Sequence, residues 1–348
     1  MNEPRRWKRR PEGSNWGDFG ADDQLGRLNL LTPEKVRQGV AEVREGRSFC
    51  LSLPLDYPGG NLLNPRRFPP RLRPTTRNGR PNFNYAIESE NLNFTDVICD
   101  DFVVLYNQYS TQWDALAHAG FLFDADDDGV EEIVYYNGFR GHEDVLGPDD
   151  LGQEDGPREE GSCAARALGV EKMAVSCVQG RGVLVDLYHH FGAEDRVVGY
   201  DDLLIAMRAD GVEVETGDML CLHTGFADLV LSMQRCPDPE LLERSCCKLD
   251  GRDQRLLRWI TESGIAVLIA DNYAVEAISV RERPERCAVA PLHEHCLFKL
   301  GIHLGELWHL TPLARWLRAH GRFRFLLTAP PLRLPGAAGS PVTPVATV

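Results

Sequence analysis

The sequence predicts an α/β fold in one large domain. Between residues 180 and 331, apolar runs of strand length alternate with amphipathic stretches of helix length. No Pro/Gly/Ser-rich linker divides the middle of the chain, and 348 residues with 43% hydrophobic content can bury a sizeable core. We therefore expect an N-terminal arm with loops packed on the core over 1–85, the main domain over 86–332 and a C-terminal tail over 333–348.

The first third of the chain is expected to be mostly irregular, because residues 1–85 are rich in Pro, Arg, Gly and Asn. One helix is predicted from Pro33 to about Glu45, with Thr32 as its N-cap. The run "FVVLYNQYS" (102–110) has the composition of a strand.

From residue 180 the elements are predicted in a regular order. The helices at 200–211 and 253–264 end at Gly211 and Gly264, and "HEHCLFKLG" and 310–321 also look helical. Strands are predicted at 182–188, 218–225, 265–272 and, as the last element, 322–331. The tail that follows is low in charge and rich in Pro, Gly and Ala, so we expect it to wrap a surface or to be loose.

Charge and composition exclude several classes of protein. A net charge of −14 argues against non-specific binding to nucleic acid or to an anionic membrane. The basic start "MNEPRRWKRR" lacks the apolar stretch of a secretory signal, and no run of about 18 apolar residues is present, so a cytoplasmic protein is expected. None of the ten cysteines forms a C-x-x-C pair, which predicts reduced, buried thiols.

Two segments contain candidate metal-ligating or acid–base residues. In "STQWDALAH" (110–118), Asp114 and His118 are four residues apart, which would place both on one face of a helix. That segment is interpreted either as a metal or acid–base site or as the capped start of a buried helix. "PLHEHCLFKLGIHLGELWHL" concentrates imidazoles and carboxylates, the ligands typical of zinc or manganese. Its candidates are His293, Glu294, His295, His303, Glu306 and His309.

Other polar clusters are given structural interpretations. "DADDDGVEEIVY" imitates a calcium loop at Asp124, Asp126 and Asp128, but its twelfth position is Tyr135, so a solvated acidic turn is expected. The adjacent His189 and His190 are expected on the surface or in a structural role, and the end of a strand is expected at His223. Neither a G-x-S-x-G elbow, a Walker loop nor a G-x-G-x-x-G fingerprint occurs.

Taken together, the motifs resemble the metal-dependent cyclase family of hydrolases, which includes kynurenine formamidases, isatin hydrolases and lactone hydrolases. The family hallmark H-x-G-T-H-x-D-x-P-x-H corresponds to "QYSTQWDALAH" here. The longer members of the family are matched by "SNWGDFGADDQLGRLN", "GRGVLVD", "GDMLCLHTG", "IADNYAVE" and the H-E…G-E segment "LHEHCLFKLGIHLGELWHL". The resemblance covers roughly residues 14–330.

The resemblance implies a mixed, partly barrel-like central sheet flanked by helices, of the swivelling β/β/α type. It implies that Asp114, His293 and Glu306 hold one divalent ion, Zn or Mn, with His295 as the alternative to His293. His118 would be the general acid/base. Gln108 and Gln112 stand where the family has metal-ligating histidines, and they are also candidate metal ligands here, each through a neutral amide oxygen that binds zinc more weakly than imidazole does.

The implied function is hydrolysis of an aryl formamide, a cyclic amide or a lactone by metal-activated water. Trp113, Trp16 and Tyr136 would offer flat apolar surface to a ring substrate. The alternative is a catalytically silent or metal-free member that binds a small molecule. By resemblance we also expect a homodimer or homotetramer, with the N-terminal arm reaching a neighbour.

Overall fold

A nine-stranded, curled mixed sheet forms the centre of the structure, a computed structural model that describes residues 5–151, 162–278 and 286–348. Across the sheet the strands follow the order β1-β9-β7-β3-β4-β5-β6-β2-β8. In chain order the strands are β1 (Ser48–Cys50), β2 (Gln112–Asp114), β3 (Gln179–Asp186), β4 (Met219–His223), β5 (Val267–Ala270), β6 (His303–Glu306), β7 (Arg324–Thr328), β8 (Gly339–Pro341) and β9 (Val345–Thr347).

The four central strands β3 to β6 are parallel, and every other pairing in this sheet is antiparallel. Parallel neighbours require crossover connections, and helices supply them here. These central strands are buried along nearly their whole length, as continuous apolar runs predict. The predicted α/β class with a mixed, curled central sheet is confirmed.

The helices confirm most of the predicted positions. The Thr32 hydroxyl accepts a hydrogen bond from Lys35 N at the start of α1, which ends at Ala41 rather than at about Glu45. Gly211 and Gly264 end their helices in left-handed backbone conformations, with φ of 64° and 68°. The α-helices are α1 (Pro33–Ala41), α2 (Pro148–Leu151), α3 (Val170–Val175), α4 (Leu187–Phe191), α5 (Tyr200–Asp210), α6 (Phe226–Ser232), α7 (Pro239–Glu243), α8 (Gln254–Ser263), α9 (Pro291–His293) and α10 (Thr311–Ala319), with a π-helix at Glu294–Leu300 and 3₁₀ turns at Gly26–Leu30, Ile87–Ser89 and Tyr136–Gly138.

Consecutive side chains along each central strand point to opposite faces of the sheet. Val183, Leu220 and Leu268 point into one apolar cluster, which also contains residues of α5, α8 and the π-helix. Leu184 and Cys221 point the other way, into a cluster that includes residues of α3 and α10. Both faces of the central strands are therefore covered by apolar side chains, which fixes the pairing register.

The C-terminal residues belong to the sheet. The predicted strand at 322–331 forms as β7, but it is not the last, because 339–341 pairs with β2 and 345–347 inserts between β7 and β1. The tail is therefore not loose. Its low charge suits this placement, since Ser340, Val342 and Ala346 are buried.

Three short two-stranded ribbons make up much of residues 71–104, which we call the ribbon segment. The strand predicted over 102–110 is limited to 101–104 within it. The ribbon pairs are Arg71–Pro74 with Asp101–Val104, Thr76–Arg77 with Arg80–Pro81, and Tyr85–Ala86 with Val97–Ile98; others in the chain are Phe121–Phe123 with Glu132–Val134, Val145–Leu146 with Ala164–Ala165, and Arg196–Val198 with Cys247–Leu249.

All ten cysteines carry free thiols, as predicted, but the expectation that they are buried is wrong for six of them. Cys221, Cys246, Cys247 and Cys296 are buried, whereas the remaining six are exposed. Within the described part of the chain, none of the helices has the length and apolar character needed to cross a lipid bilayer.

Candidate metal centre

The segment 110–118 is a strand followed by a turn, so the predicted helix is wrong. Gln112–Asp114 forms β2, which lies between β6 and β8. The chain then turns, with His118 N donating to Ala115 O at 2.9 Å. The turn still brings His118 Nε2 to 3.8 Å from Asp114 Oδ1. The predicted proximity of the carboxylate and the imidazole therefore holds for a different structural reason.

Asp114, His293 and Glu306 converge on one point. Each offers a ligand atom, and these atoms all lie within 4.8 Å of one another. In the pairing of β2 with β6, Glu306 lies opposite Gln112. Because Gln112 and Asp114 are two residues apart on β2, the side chains of Asp114 and Glu306 lie diagonally on the same face of the sheet. His293 is the last residue of α9, and its Nε2 lies 3.5 Å from Glu306 Oε1. Residues from two distant segments thus meet as the sequence predicted.

All three side chains are removed from solvent. Asp114 is fully buried, Glu306 is 3% exposed and His293 is 9% exposed. Burial, together with the charge of Glu306, raises the pKa of Asp114 to about 6. Burial also opposes a charged imidazole at His293, but the carboxylates of Glu276, Glu306 and Asp114 outweigh it and raise its pKa to about 10.

The pKa of Glu306 is shifted in the opposite direction to that of Asp114. Burial acts to raise its pKa, but the hydrogen bond and charge of His293, with further help from His118 and Arg67, bring it below its ordinary value. Asp114 and Glu306 therefore place two buried carboxylates beside one buried imidazole, that of His293. Such a site attracts a cation.

The two glutamines border this group. Gln112 is buried, and its Nε2 donates to Glu306 Oε2 at 3.0 Å and lies 3.5 Å from Asp114 Oδ1. Gln112 Oε1 and Asp114 Oδ2 are buried without a hydrogen-bond partner. Gln108 is further out, with its Nε2 3.4 Å from His118 Nδ1. Gln112 thus contacts both carboxylates, whereas Gln108 contacts the proposed acid/base.

A cleft of about 1330 Å³ leads to the group, and His118 and His293 are part of its wall. Phe121, Phe123 and Phe298 supply apolar surface to the same cleft. Asp114 and Glu306 lie behind the two histidines. A small molecule entering the cleft would therefore meet these two imidazoles before it met the carboxylates of Asp114 and Glu306.

The predicted substrate contacts of Trp113, Trp16 and Tyr136 are corrected by their burial. Trp113 faces the other side of the sheet, where its Nε1 donates to Ala329 O at 2.8 Å. Trp16 packs behind Phe298 and donates to its carbonyl at 2.7 Å, and Tyr136 is fully buried. These aromatic side chains stabilise the core, and the phenylalanines named above line the cleft instead.

The other histidine candidates lie outside the ligand group. His295, the alternative to His293, contacts Thr261 Oγ1 at 2.9 Å, and burial lowers its pKa to about 4. His303 is buried and its pKa is lowered to about 3, and His309 pairs with Asp228 at 2.9 Å. His223 ends β4 as predicted, but it is packed between Asp186 and Thr311.

Two predicted surface features have simple structural environments. His189 and His190 lie on α4, and His190 pairs with Asp210 at 2.9 Å. Asp124, Asp126 and Asp128 lie close together in a turn, where Asp124 accepts hydrogen bonds from the backbone of Asp128 and Gly129. These backbone contacts fit the predicted acidic turn.

Sequence reasoning did not single out Glu276 or Arg67. Glu276 Oε1 lies 2.8 Å from His293 Nδ1, on the far side of the ring from the ligand group. Arg67 donates to Gln108 O at 2.6 Å and adds positive charge near both buried carboxylates. Glu276 was present in the quoted motif "IADNYAVE", but no local spacing connects it to His293.

Comparison with models of known protein families identifies the family of this chain. A sequence model of the cyclase family, described as "Putative cyclase", matches residues 51–277 of the chain. The chain belongs to this family. The matched region contains Asp114 and His118 but ends before His293 and Glu306, which the structure places beside Asp114.

Solved structures support the cyclase fold. A crystal structure of a novel cyclase is 28% identical, with a TM-score of 0.73, and the alignment covers 96% of this chain and 97% of that one. Isatin hydrolase A from Labrenzia aggregata bound to benzyl benzoate is 13% identical, with a TM-score of 0.54 over 90% of this chain and 97% of that one. Isatin hydrolase A from Ralstonia solanacearum is 14% identical, with a TM-score of 0.52 and the same coverages. None of the curated proteins matches the chain in sequence.

Proposed function

We propose that this cyclase-family protein is a metal-dependent hydrolase that opens a carbonyl C–N or C–O bond. The observation that carries the proposal is the convergence of Asp114, His293 and Glu306 beside His118 at the wall of a cleft. Two buried carboxylates and an imidazole are a donor set that suits Mn²⁺ or Zn²⁺.

The residues present fit a bound cation. Asp114 Oδ2 and Gln112 Oε1 are buried acceptors without partners, and a buried acceptor is normally paired. Asp114, His293 and Glu306 would hold the ion, with Gln112 Oε1 as a further oxygen donor after rotation of its amide. When bound, such an ion polarises a carbonyl and lowers the pKa of water at the site.

His118 is placed to carry protons. It is partly exposed to the cleft, with Gln108 Nε2 near its Nδ1 and Asp114 near its Nε2. In the proposed mechanism, His118 takes a proton from the attacking water and returns it to the departing nitrogen or oxygen. Gln108 holds the orientation of the imidazole, and the closed rear wall around Asp114 excludes bulk water.

The proposed substrates are aryl formamides, cyclic amides and lactones. The phenylalanine-lined cleft supplies apolar surface for a ring, and two of the similar structures are isatin hydrolases. The experiment is a hydrolysis assay on a panel of these three substrate types, using protein stripped with chelator and then supplied with Mn²⁺ or Zn²⁺. Turnover of at least one type that requires the metal is expected. Metal binding without turnover of any type would contradict the proposed activity.

One observation favours a second candidate, a silent or metal-free binder of a small molecule. Gln112 Nε2 already donates to Glu306 and lies near Asp114, which partly satisfies the two carboxylates without a cation. If this arrangement persists, purified protein will take up neither Mn²⁺ nor Zn²⁺ while still binding a ring compound in the cleft. Metal analysis alongside ligand titration distinguishes the two functions.

We further propose a homodimer or homotetramer held partly by the ribbon segment. Eight large apolar side chains are exposed there, more than three thin ribbons can shelter. Replacing Leu72 and Val103 by Asp should lower the mass measured by light scattering, whereas an unchanged mass would contradict this proposal.

A further inference from the structure

The carboxylate of Glu276 is buried behind the metal-ligand candidate His293. Its side chain is fully buried, and Oε1 lies 2.8 Å from His293 Nδ1. His293 N donates to the same oxygen at 3.0 Å, and Leu292 N donates to Oε2 at 3.0 Å. One carboxylate thus binds both the ring and the backbone of the residue that carries it.

We propose that Glu276 is a positioning residue that locks the His293 ring with Nε2 directed at Asp114 and Glu306. The proposal rests on the metal-dependent function proposed above. Because the carboxylate accepts a hydrogen bond from Nδ1, the remaining ring nitrogen is the one presented to the ligand group. Carboxylates that orient metal-ligating histidines in this way typically contribute 10- to 100-fold to metal affinity.

The backbone before Glu276 is strained in a way that serves this placement. Ala274 and Val275 have φ of 68° and 58°, a left-handed conformation that L-residues adopt rarely. Such residues persist only where surrounding contacts hold them. Here Leu249 N donates to Val275 O at 3.1 Å, and Ala277 N donates to Leu249 O at 2.9 Å. The two strained residues thus directly precede Glu276, whose side chain is buried.

Gly251 provides the space that the carboxylate occupies. A Cβ atom on Gly251 would lie 2.1 Å from Glu276 Oε2 and 3.0 Å from Leu292 N. Its φ is not in the left-handed region, so alanine is disfavoured by this contact rather than by backbone conformation. Gly251→Ala therefore displaces the Glu276 carboxylate without removing it.

The test compares variants by Mn²⁺ titration of chelator-stripped protein, with circular dichroism to check folding. Glu276→Ala and Gly251→Ala should each weaken Mn²⁺ binding 10- to 100-fold. Glu276→Gln keeps an acceptor for Nδ1 but loses the charge, so it should restore part of the affinity. Asp228→Asn is the matched control, because Asp228 pairs with His309 outside the ligand group, and it should stay within twofold of wild type.

A second readout does not depend on metal. In wild-type protein with ¹⁵N-labelled histidine, the proton on His293 Nδ1 should give a downfield resonance protected from exchange with water. That resonance should vanish in Glu276→Ala and in Gly251→Ala, with His293→Gln used for its assignment.

The outcomes separate the two proposals. If wild type binds Mn²⁺ and both alanine variants bind it equally well, the role of Glu276 is refuted and the hydrolase proposal stands. If wild type binds neither Mn²⁺ nor, in a parallel titration, Zn²⁺, the hydrolase proposal fails, and the ring-proton measurement decides Glu276 alone. An unprotected proton in wild type, or one unaffected in the variants, overturns the positioning role. If Glu276→Ala fails to fold, Glu276→Gln and Gly251→Ala decide in its place.

Discussion

Removing the charge of Asp114 should stabilise the metal-free protein while destroying its metal site. Burial and the charge of Glu306 raise the Asp114 pKa from its ordinary value of 3.8 to about 6. That difference corresponds to about 3 kcal/mol of stability lost at neutral pH. The amide introduced by Asp114→Asn is neutral at every pH and does not incur this loss. His293 keeps Glu276 and Glu306 as partners in the variant, so the imidazole is not left unpaired.

The direction of the pH dependence follows from the raised pKa. Below pH 3.8 the carboxyl is protonated in both the folded and the unfolded chain, and the wild type and Asp114→Asn should be equally stable. As pH rises from about 4 to 6, the wild type loses stability relative to Asp114→Asn, and above about pH 7 the difference is complete. A chain of 348 residues has an unfolding entropy of roughly 0.7 kcal/mol/K, so about 3 kcal/mol corresponds to about 4 °C in Tm.

The assay is thermal unfolding in chelator at pH 4.5 and pH 8, with Asp101→Asn as a control at an exposed aspartate. At pH 8, Asp114→Asn should unfold about 4 °C above wild type, and the gap should shrink at pH 4.5. With Mn²⁺ added the order should reverse, because only the wild type gains the free energy of binding. A variant that unfolds below wild type at pH 8 in chelator, or a gap independent of pH, would contradict this prediction.

Other parts of the structure give three more predictions. His118→Ala should lower kcat about 10²- to 10⁴-fold while leaving Mn²⁺ affinity intact, and unchanged turnover would contradict the proton-carrier role. Gly26→Ala should cost more than about 3 kcal/mol by denaturant unfolding, because its Cβ would lie 2.2 Å from Gly301 O, whereas Gly321→Ala, with similar φ and open space, should cost about 1 kcal/mol. In the native protein, six thiols should react quickly with a thiol reagent and four only after unfolding; rapid reaction of all ten would show that the buried cysteines are accessible.

The central strands were predictable because their signals are local. Continuous apolar runs such as "GVLVD" and "IAVLIA" mark buried parallel strands, and Gly211 and Gly264 mark helix ends. Asp114 and His118, by contrast, lie in a three-residue strand and a turn, too short for a periodic signal. The strand β2 is defined by its pairing with β6, about 190 residues away in the chain. Local spacing therefore indicated a helix where non-local pairing makes a strand.

The candidate site was predicted from family motifs and from the concentration of histidines, and the structure supplies the distances between them. The sequence could not distinguish which of two nearby histidines, His293 or His295, lies beside the carboxylates. His293 rather than His295 meets the carboxylates because α9 ends there, and the next residues turn into a π-helix that directs His295 at Thr261. Glu276 was missed because it is linked to His293 by tertiary contacts alone. Trp16 and Tyr136 were misassigned because aromatic composition does not distinguish a core from a cleft.

A crystal structure of protein grown with Mn²⁺, with anomalous scattering measured to locate the ion, would decide whether the proposed metal centre exists. We expect one strong anomalous peak between Asp114, Glu306 and Nε2 of His293, at about 2.0–2.3 Å from each ligand atom. Absence of a peak at this point under saturating Mn²⁺, or a peak only at the Asp124–Asp128 turn, would contradict the proposed centre.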